Sequence, residues 1–344
     1  MRQILNTLYI MTEGSYLRLE RETLVVMVDK EKRMQVPLHH LGSIVCIGRV
    51  SMSSGLMARN AEDGRTVVWL NHHGRFQARV EGGVNGNILL RQAQFRCADK
   101  KEKTLLLAKA FIAGKLRNSR QVLQRSARDS KDEADKKSLK RAAKSLAINL
   151  RNLEYAESHD SIRGFEGDAA RVYFEQFNVM IKPKMRDDFK FTKRSRRPPK
   201  DAINALISFL YSILLNDCRS ALETVGLDSQ LGFLHTVRPG RHALALDLLE
   251  EFRAVLGDRL AMTLINRGQI RLKDFDFREG GSVLLNDTGR KTLLVAYQER
   301  KKETLNHPLL DQNVEIGLLP LIQARMLARY LREDIEAYIP YLHK

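Results

Sequence analysis

Apolar residues come in short β-type runs over the first eighty positions: Leu5 to Ile10, Tyr16 to Leu19, Leu24 to Val28, Ile44 to Ile47, Val67 to Leu70 and Phe76 to Val80. Polar or glycine-containing breaks separate them at Glu13-Gly14, Asp29-Lys-Glu-Lys and His73-Gly74, which predicts a small sandwich or paired sheets. Ser51 to Glu62 opens on a serine and has little β character, so one helix is expected before the Val67 strand. At Glu81-Gly-Gly-Val-Asn-Gly86 the pattern changes from β to helical, and the expected domains are residues 1–85 and 86–344.

Beyond that break the periodicity is helical. Leu89 to Cys97, Thr104 to Arg128 and Asp132 to Ala156 read as helices, the last two rich in Lys and Arg. Asp201 to Leu222 begins with an acidic cap after Pro199 and is hydrophobic nearly all round, as a buried central rod would be. His242 to Leu256 carries an apolar stripe of Leu244, Leu248, Phe252 and Val255. Phe275 to Leu285 resembles a short hairpin, Asn286 or Asp287 can cap the next helix, and a last helix is expected from Asn313 to Glu336, bent at Pro320. The expected fold class is α+β: a small amino-terminal β-sandwich-like domain followed by a larger all-α domain.

Two acidic positions break these patterns. In Ser161 to Phe177, a helical stripe contains Ile162, Glu166, Ala170, Tyr173 and Phe177, so Glu166 shares a face that should enter a core. A carboxylate there needs hydrogen bonds, an ion pair or a cation. It reads either as a metal ligand or catalytic acid, or as a structural salt bridge with Arg163 or Arg171. In the His242 helix, Asp247 and Glu250 lie three residues apart and can face together. That pair reads as a solvent face or a site; Glu251 is a third acid, Arg253 can pair with Asp247 or Glu250, and helix geometry does not choose among them.

Charge supplies the partner. Lys and Arg number 58 against 41 Asp and Glu, a net +17 that points to a polyanion, nucleic acid before an acidic membrane surface. No apolar run approaches the roughly 18–20 residues of a bilayer span. The amino terminus lacks a signal peptide's apolar region, so a cytoplasmic location is expected. The segment Lys182 to Lys200 has nine Lys or Arg, three prolines and no helical period. It reads as a flexible charged insertion or as a phosphate-contacting loop in which Lys193, Arg194, Arg196 and Arg197 meet the backbone while Phe189 and Phe191 stack on bases. The second is the expectation, with Arg238 and Arg241 as further DNA-binding candidates. Cys46, Cys97 and Cys218 form no Cys-x-x-Cys pair and are expected as reduced core residues. The adjacent pairs His39-His40 and His72-His73 are expected as loop histidines near sheet edges, since neighbours on a strand point to opposite faces.

Glu166, His235 and Glu250 make a carboxylate, imidazole, carboxylate set able to bind Mn²⁺ or Mg²⁺ with positions left for phosphate oxygens. The residues around them resemble the CRISPR-associated adaptation endonuclease and integrase family, the universal spacer-acquisition protein. The similarity lies in Gly164-Phe-Glu-Gly-Asp-Ala-Ala-Arg-Val-Tyr-Phe174, Arg197-Pro-Pro-Lys-Asp-Ala-Ile-Asn-Ala-Leu-Ile-Ser-Phe-Leu-Tyr211, Gly232-Phe-Leu-His235 and Leu246-Asp-Leu-Leu-Glu-Glu-Phe-Arg253, in that order. The chain most resembles the type I-C branch. The resemblance implies metal ligands and catalytic residues at Glu166, His235 and Glu250, with Asp247 as a supporting partner or alternative ligand. It implies that the amino-terminal domain serves dimerisation and that the all-α domain is catalytic, in a homodimer, two of which flank a dimer of the small second adaptation protein in a heterohexamer. That assembly would bind double-stranded prespacer DNA and join its 3′ hydroxyl ends to the CRISPR repeat by transesterification, with an iron–sulfur nuclease as a trimming partner. A mobile-element integrase with the same core and a non-catalytic DNA scaffold that retains the acids are the competing readings.

Overall fold

The computed structural model describes residues 6–72, 76–80, 82 and 88–343. Leu5, His73 and most of the Glu81–Gly86 break lie outside the described residues.

The chain divides into two compact units. The first contains β1 (Asn6–Ile10), β2 (Tyr16–Glu20), β3 (Thr23–Val28), β4 (Glu31–Pro37), β5 (Leu41–Ile47), β6 (Ser51–Met52), α1 (Ser54–Glu62), β7 (Thr66–Leu70) and β8 (Phe76–Val80). They form two four-stranded sheets, β1-β5-β7-β8 and β4-β3-β2-β6. In the first sheet β5 runs parallel to both β1 and β7. Ile44, Val45, Cys46 and Ile47 are all buried, which is why that strand reads as a continuous apolar run without alternation. Leu17, Leu24, Val26, Leu38, Ile44, Leu56 and Val67 fill the core of this unit.

Strand β4 is not expected from the pattern because its Glu, Lys and Arg are exposed on a sheet edge, where charge suppresses pairing with other chains. Asp29 and Lys30, read as a break, are the hairpin turn itself, both at positive φ (50° and 66°). The helix expected from Ser51 starts later, because Ser51 and Met52 pair with Tyr16 and Leu17 and the Ser53 side chain caps α1.

The second unit is built on α2 (Ile88–Ala98), α3 (Lys101–Asp129), α4 (Glu133–Leu153), α5 (His159–Phe174), α6 (Phe177–Met180), α7 (Ala202–Val225), α8 (Ala243–Glu250) and α9 (Arg259–Asn266). A π-helical stretch, Arg253–Asp258, joins the last two. Then come β9 (Phe275–Phe277) and β10 (Val283–Leu285), paired antiparallel as the expected hairpin, α10 (Asp287–Lys302), β11 (Thr304–His307), β12 (Gln312–Glu315) and α11 (Leu319–Leu331). The unit is therefore helical with two short β pairs rather than all-α. Leu294–Glu303, which takes in the end of α10, belongs to the first unit.

Helix α7 is the central rod. Asp201 caps its start by accepting from Asn204 N, and Gly226 at φ +94° ends it in a left-handed cap. Ile203, Leu206, Ile207, Leu210 and Leu214 are buried, and removing one such side chain costs about 2–5 kcal/mol. By length and composition α7 could cross a membrane, but 61% of its apolar window is buried in the protein. The last expected helix is shorter than its pattern suggested: Gln312–Glu315 is a strand and α11 begins at Leu319. Pro320 thus sits in a first turn, where its missing N–H breaks no helical bond, and it need not bend the helix.

Candidate active site

Helix α5 carries Glu166. A reciprocal capping box between Ser158 and Ser161 fixes its first turn, and His159 Nε2 lies 2.8 Å from the Phe233 carbonyl, tying that turn to the loop that bears His235. Ile162, Tyr173 and Phe177 are buried as the stripe predicts, while Glu166 keeps about 30% of its side chain exposed to a cavity. Its partner is neither expected arginine. Arg163 pairs with Asp160, and Arg171 with Asp168 and Glu175. Lys115 of α3 supplies the charge, its ammonium contacting Glu166 Oε1 and lying 2.9 Å from Glu250 Oε2. Lys115 interrupts a buried α3 face of Phe111, Ile112, Leu116 and Ser119, the same anomaly that marks Glu166, so the signal that could have found it is present in the sequence.

Asp247 decides where His235 points. It is fully buried; Oδ2 accepts from Phe233 N at 2.6 Å and Leu234 N at 3.0 Å, and Oδ1 from His235 N at 2.9 Å. His235 Nδ1 lies 2.7 Å from the same Oδ1 and donates to it, so the proton sits on Nδ1 and Nε2 presents a lone pair when the ring is neutral. Gly232 makes this grip feasible: a Cβ there would meet Ala243 backbone at 2.7 Å and Asp247 Oδ2 at 2.8 Å. Both Asp247 oxygens are thus engaged by this loop, and Glu250 is the acid of α8 that lines the cavity.

Glu250 is buried, not on a solvent face. Burial pushes its carboxyl up, but Arg253, Lys115 and His235 outweigh that and hold it down at about 2. Arg253 Nε is 3.0 Å from Glu250 Oε1, and its guanidinium stacks over Tyr211 at 4.6 Å. Next in the π-helical stretch, Gly257 lacks the Cβ that would stand 2.8 Å from Tyr211, whose hydroxyl donates to Asp258 at 2.5 Å. Tyr173 donates to the other Asp258 oxygen at 3.1 Å. Burial raises the Asp258 carboxyl to about 6 against these two hydrogen bonds.

Glu166, His235 and Glu250 line one cavity of about 340 Å³, in which His235 Nε2 lies 3.8 Å from Glu250 Oε1. Lys115, Arg163, Arg194, Arg196, Arg241 and Arg253 line it against three acids, Glu166, Glu250 and Asp258, which suits an anionic substrate. No three His, Cys, Asp or Glu among the described residues stand ready in coordinating geometry. The donor chemistry nevertheless fits a hard divalent cation: two carboxylates, an imidazole nitrogen fixed by Asp247, and Glu250 Oε2, buried with no hydrogen bond among the described residues.

The basic candidates separate. Arg196 and Arg241 line the cavity, while Lys193, Arg197 and Arg238 lie outside its lining. Arg194 lines the cavity but donates to Asn204 Oδ1 at 2.7 Å and Ser208 Oγ at 3.0 Å, holding the loop to α7. Phe189 and Phe191 do not offer base stacking. Both are buried, Phe191 against Phe174 and Phe177 and Phe189 against Phe275, because the loop needs its own apolar anchors. The three cysteines are free and buried, as expected. His39 and His40 close a short 3₁₀ turn, and His72 pairs with Glu13.

The chain is similar to known proteins along its length. The family model described as CRISPR associated protein Cas1 matches residues 8–299. A CRISPR-associated endonuclease Cas1 of Moorella thermoacetica is 52% identical over 344 residues, covering 100% of both chains. Two solved structures share the fold. A casposase bound to its integration product has a TM-score of 0.82 at 21% identity, covering 99% of this chain and 95% of that one. A chain of a Cas6-RT-Cas1–Cas2 complex has a TM-score of 0.82 at 24% identity, with 99% of this chain spanning 36% of it. The family match over most of the sequence and the full-length relative together establish that this chain belongs to the CRISPR-associated Cas1 family.

Proposed function

We propose that this chain is a divalent-metal-dependent DNA endonuclease and integrase of CRISPR adaptation, joining 3′ hydroxyl ends of short duplex DNA into the repeat array. The observation that carries the reading is the grouping of Glu166, His235 and Glu250 on one arginine-lined cavity, with Asp247 aiming the imidazole. In the reaction the 3′ hydroxyl oxygen bonds to a repeat-strand phosphorus as the bond to the repeat's own 3′ oxygen breaks. The attacking hydroxyl gives its proton to water, and the departing oxygen takes one up. Glu166, His235 Nε2 and Glu250 would hold Mg²⁺ or Mn²⁺, which supplies Lewis-acid stabilisation of charge on the transferring phosphate. Arg196 and Arg241 bind the non-bridging oxygens and orient the backbone, and the cavity walls limit water near the reacting phosphorus.

The Cas1–Cas2 complex that shares the fold supports work with the small second adaptation protein. A homodimer acting on double-stranded DNA in the cytoplasm completes the proposal. An iron–sulfur nuclease that trims prespacers is the further partner. The casposase shares the fold, but 52% identity to a CRISPR-associated endonuclease favours repeat integration over mobile-element transfer.

The test is joining of a labelled prespacer into a supercoiled repeat plasmid with the partner protein, in Mn²⁺ or EDTA. The expected result is joining by wild type that EDTA and Glu166→Ala each abolish, with the variant folded and still binding DNA. Equal joining by Glu166→Ala would overturn the site, and DNA binding without joining in any metal would leave a DNA scaffold.

A further inference from the structure

We propose that Lys115 is the built-in competitor of the divalent cation, and that by trading the two carboxylates for DNA phosphate it couples metal binding to DNA binding. The inference rests on the metal-dependent reading above.

Position is the first support. Lys115 reaches from α3 with only 16% of its side chain exposed, and its ammonium lies between Glu166 of α5 and Glu250 of α8. An ammonium so buried requires both acids, and they require it, since two facing carboxylates without a cation repel each other. Arg253 does not replace it, because it is committed to Glu250 Oε1 and to the face of Tyr211. Lys115 therefore supplies positive charge at the very oxygens, Glu166 Oε1 and Glu250 Oε2, that a cation would take.

An ammonium and a divalent ion cannot both sit at bonding distance from those oxygens, because the repulsion between them is strong and unscreened in a buried site. Loading the metal must move Lys115. Its four-carbon stem is flexible, and its head borders the arginine-lined cavity. A phosphate in that cavity offers the displaced ammonium a new partner. DNA thus lowers the cost of metal entry, and by linkage metal raises affinity for DNA by the same factor. The protein without DNA holds its metal weakly, which restrains cleavage of unintended strands.

The test measures Mn²⁺ binding by the electron paramagnetic resonance of free Mn²⁺, with and without a short duplex, in wild type, Glu166→Ala, Lys115→Met and Lys115→Arg. For wild type the expectation is a weak site, absent in Glu166→Ala, that DNA tightens. Lys115→Met should bind Mn²⁺ about tenfold tighter without DNA, and DNA should add less; Lys115→Arg should resemble wild type. A wild-type site with unchanged or weaker affinity in Lys115→Met overturns the inference alone. No wild-type site that Glu166→Ala removes would overturn the metal reading itself. Should Lys115→Met fail to fold, acylation of wild-type lysines read by mass spectrometry decides the matter: Mg²⁺ should raise labelling of Lys115 several-fold, and unchanged labelling refutes its displacement.

Discussion

Asp247→Asn tests the geometry of the site with one atom. In the native protein the N–H groups of Phe233, Leu234 and His235 and the His235 ring converge on the Asp247 carboxylate, at 2.6, 3.0, 2.9 and 2.7 Å. An asparagine keeps the shape but turns one oxygen into an NH₂ group. With the NH₂ toward the loop backbone, the N–H groups of Phe233 and Leu234 lose their acceptor; with it toward His235, the backbone N–H and the ring N–H of His235 lose theirs unless the ring gives up its Nδ1 proton. An unsatisfied buried donor costs about 1–3 kcal/mol, so the pair costs about 2–6 kcal/mol. At roughly 2–4 °C per kcal/mol for a unit of this size, melting should fall by about 4–24 °C. If the NH₂ faces His235, Nδ1 must become the acceptor and the proton moves to Nε2, removing the lone pair from the cavity side. Joining should then fall on the order of 10²-fold or more, as in other sites where an imidazole is held in the wrong tautomer. Calorimetry gives the stability, the plasmid assay the rate, and nitrogen-15 NMR of the histidine ring the tautomer. Wild-type melting and joining, with the proton still on Nδ1, would refute the argument that Asp247 sets the imidazole.

Two further predictions concern acids and arginines away from the metal set. Glu251 is buried among the Tyr338 hydroxyl, Gln323 Nε2 and Tyr341 N, and burial lifts its carboxyl to about 8 against those hydrogen bonds. The folded state thus keeps a proton that the unfolded chain releases near pH ~4.3. This group's contribution is complete below that pH and is lost as pH rises to about 8, with a slope up to about 1.4 kcal/mol per pH unit. Glu251→Gln should flatten urea-measured stability over that window, and an unchanged slope would exclude a neutral Glu251. In the basic loop, changing Lys193, Arg196 and Arg197 together to Ala should reduce the salt dependence of DNA binding by about 0.9 in log–log slope for each phosphate that is no longer neutralised. Arg194→Ala should instead lower melting, since Asn204 and Ser208 lose their donor; anisotropy titrations in KCl and thermal scans separate the two, and equal salt slopes would place the loop away from DNA.

Local pattern carried much of this protein. Strands before helices, the all-round apolarity of α7, the interrupted stripe at Glu166 and the excess of basic residues all follow from periodicity and charge, and the ordered motifs carried the family resemblance. Those features are legible because a residue's face is fixed by its own helix or strand. Convergence is not. Glu166, His235 and Glu250 come from α5, a loop and α8, and their meeting depends on how those elements dock. The same limit hid the roles of neighbouring charges. Helix spacing left Asp247 and Glu250 equivalent until the backbone N–H groups of Phe233, Leu234 and His235 were seen to claim Asp247. It gave Glu166 two arginines on its own helix, whereas its partner Lys115 lies 51 residues earlier on α3. Phe189 and Phe191 looked available for bases because a basic loop shows no period, yet burial decides their packing and that is set by Phe174, Phe177 and Phe275. Residue type and order along the chain settle which side chains are able to do the chemistry. Which of them face the same cavity is settled by the docking of helices, because desolvation and charge compensation act between elements distant along the chain.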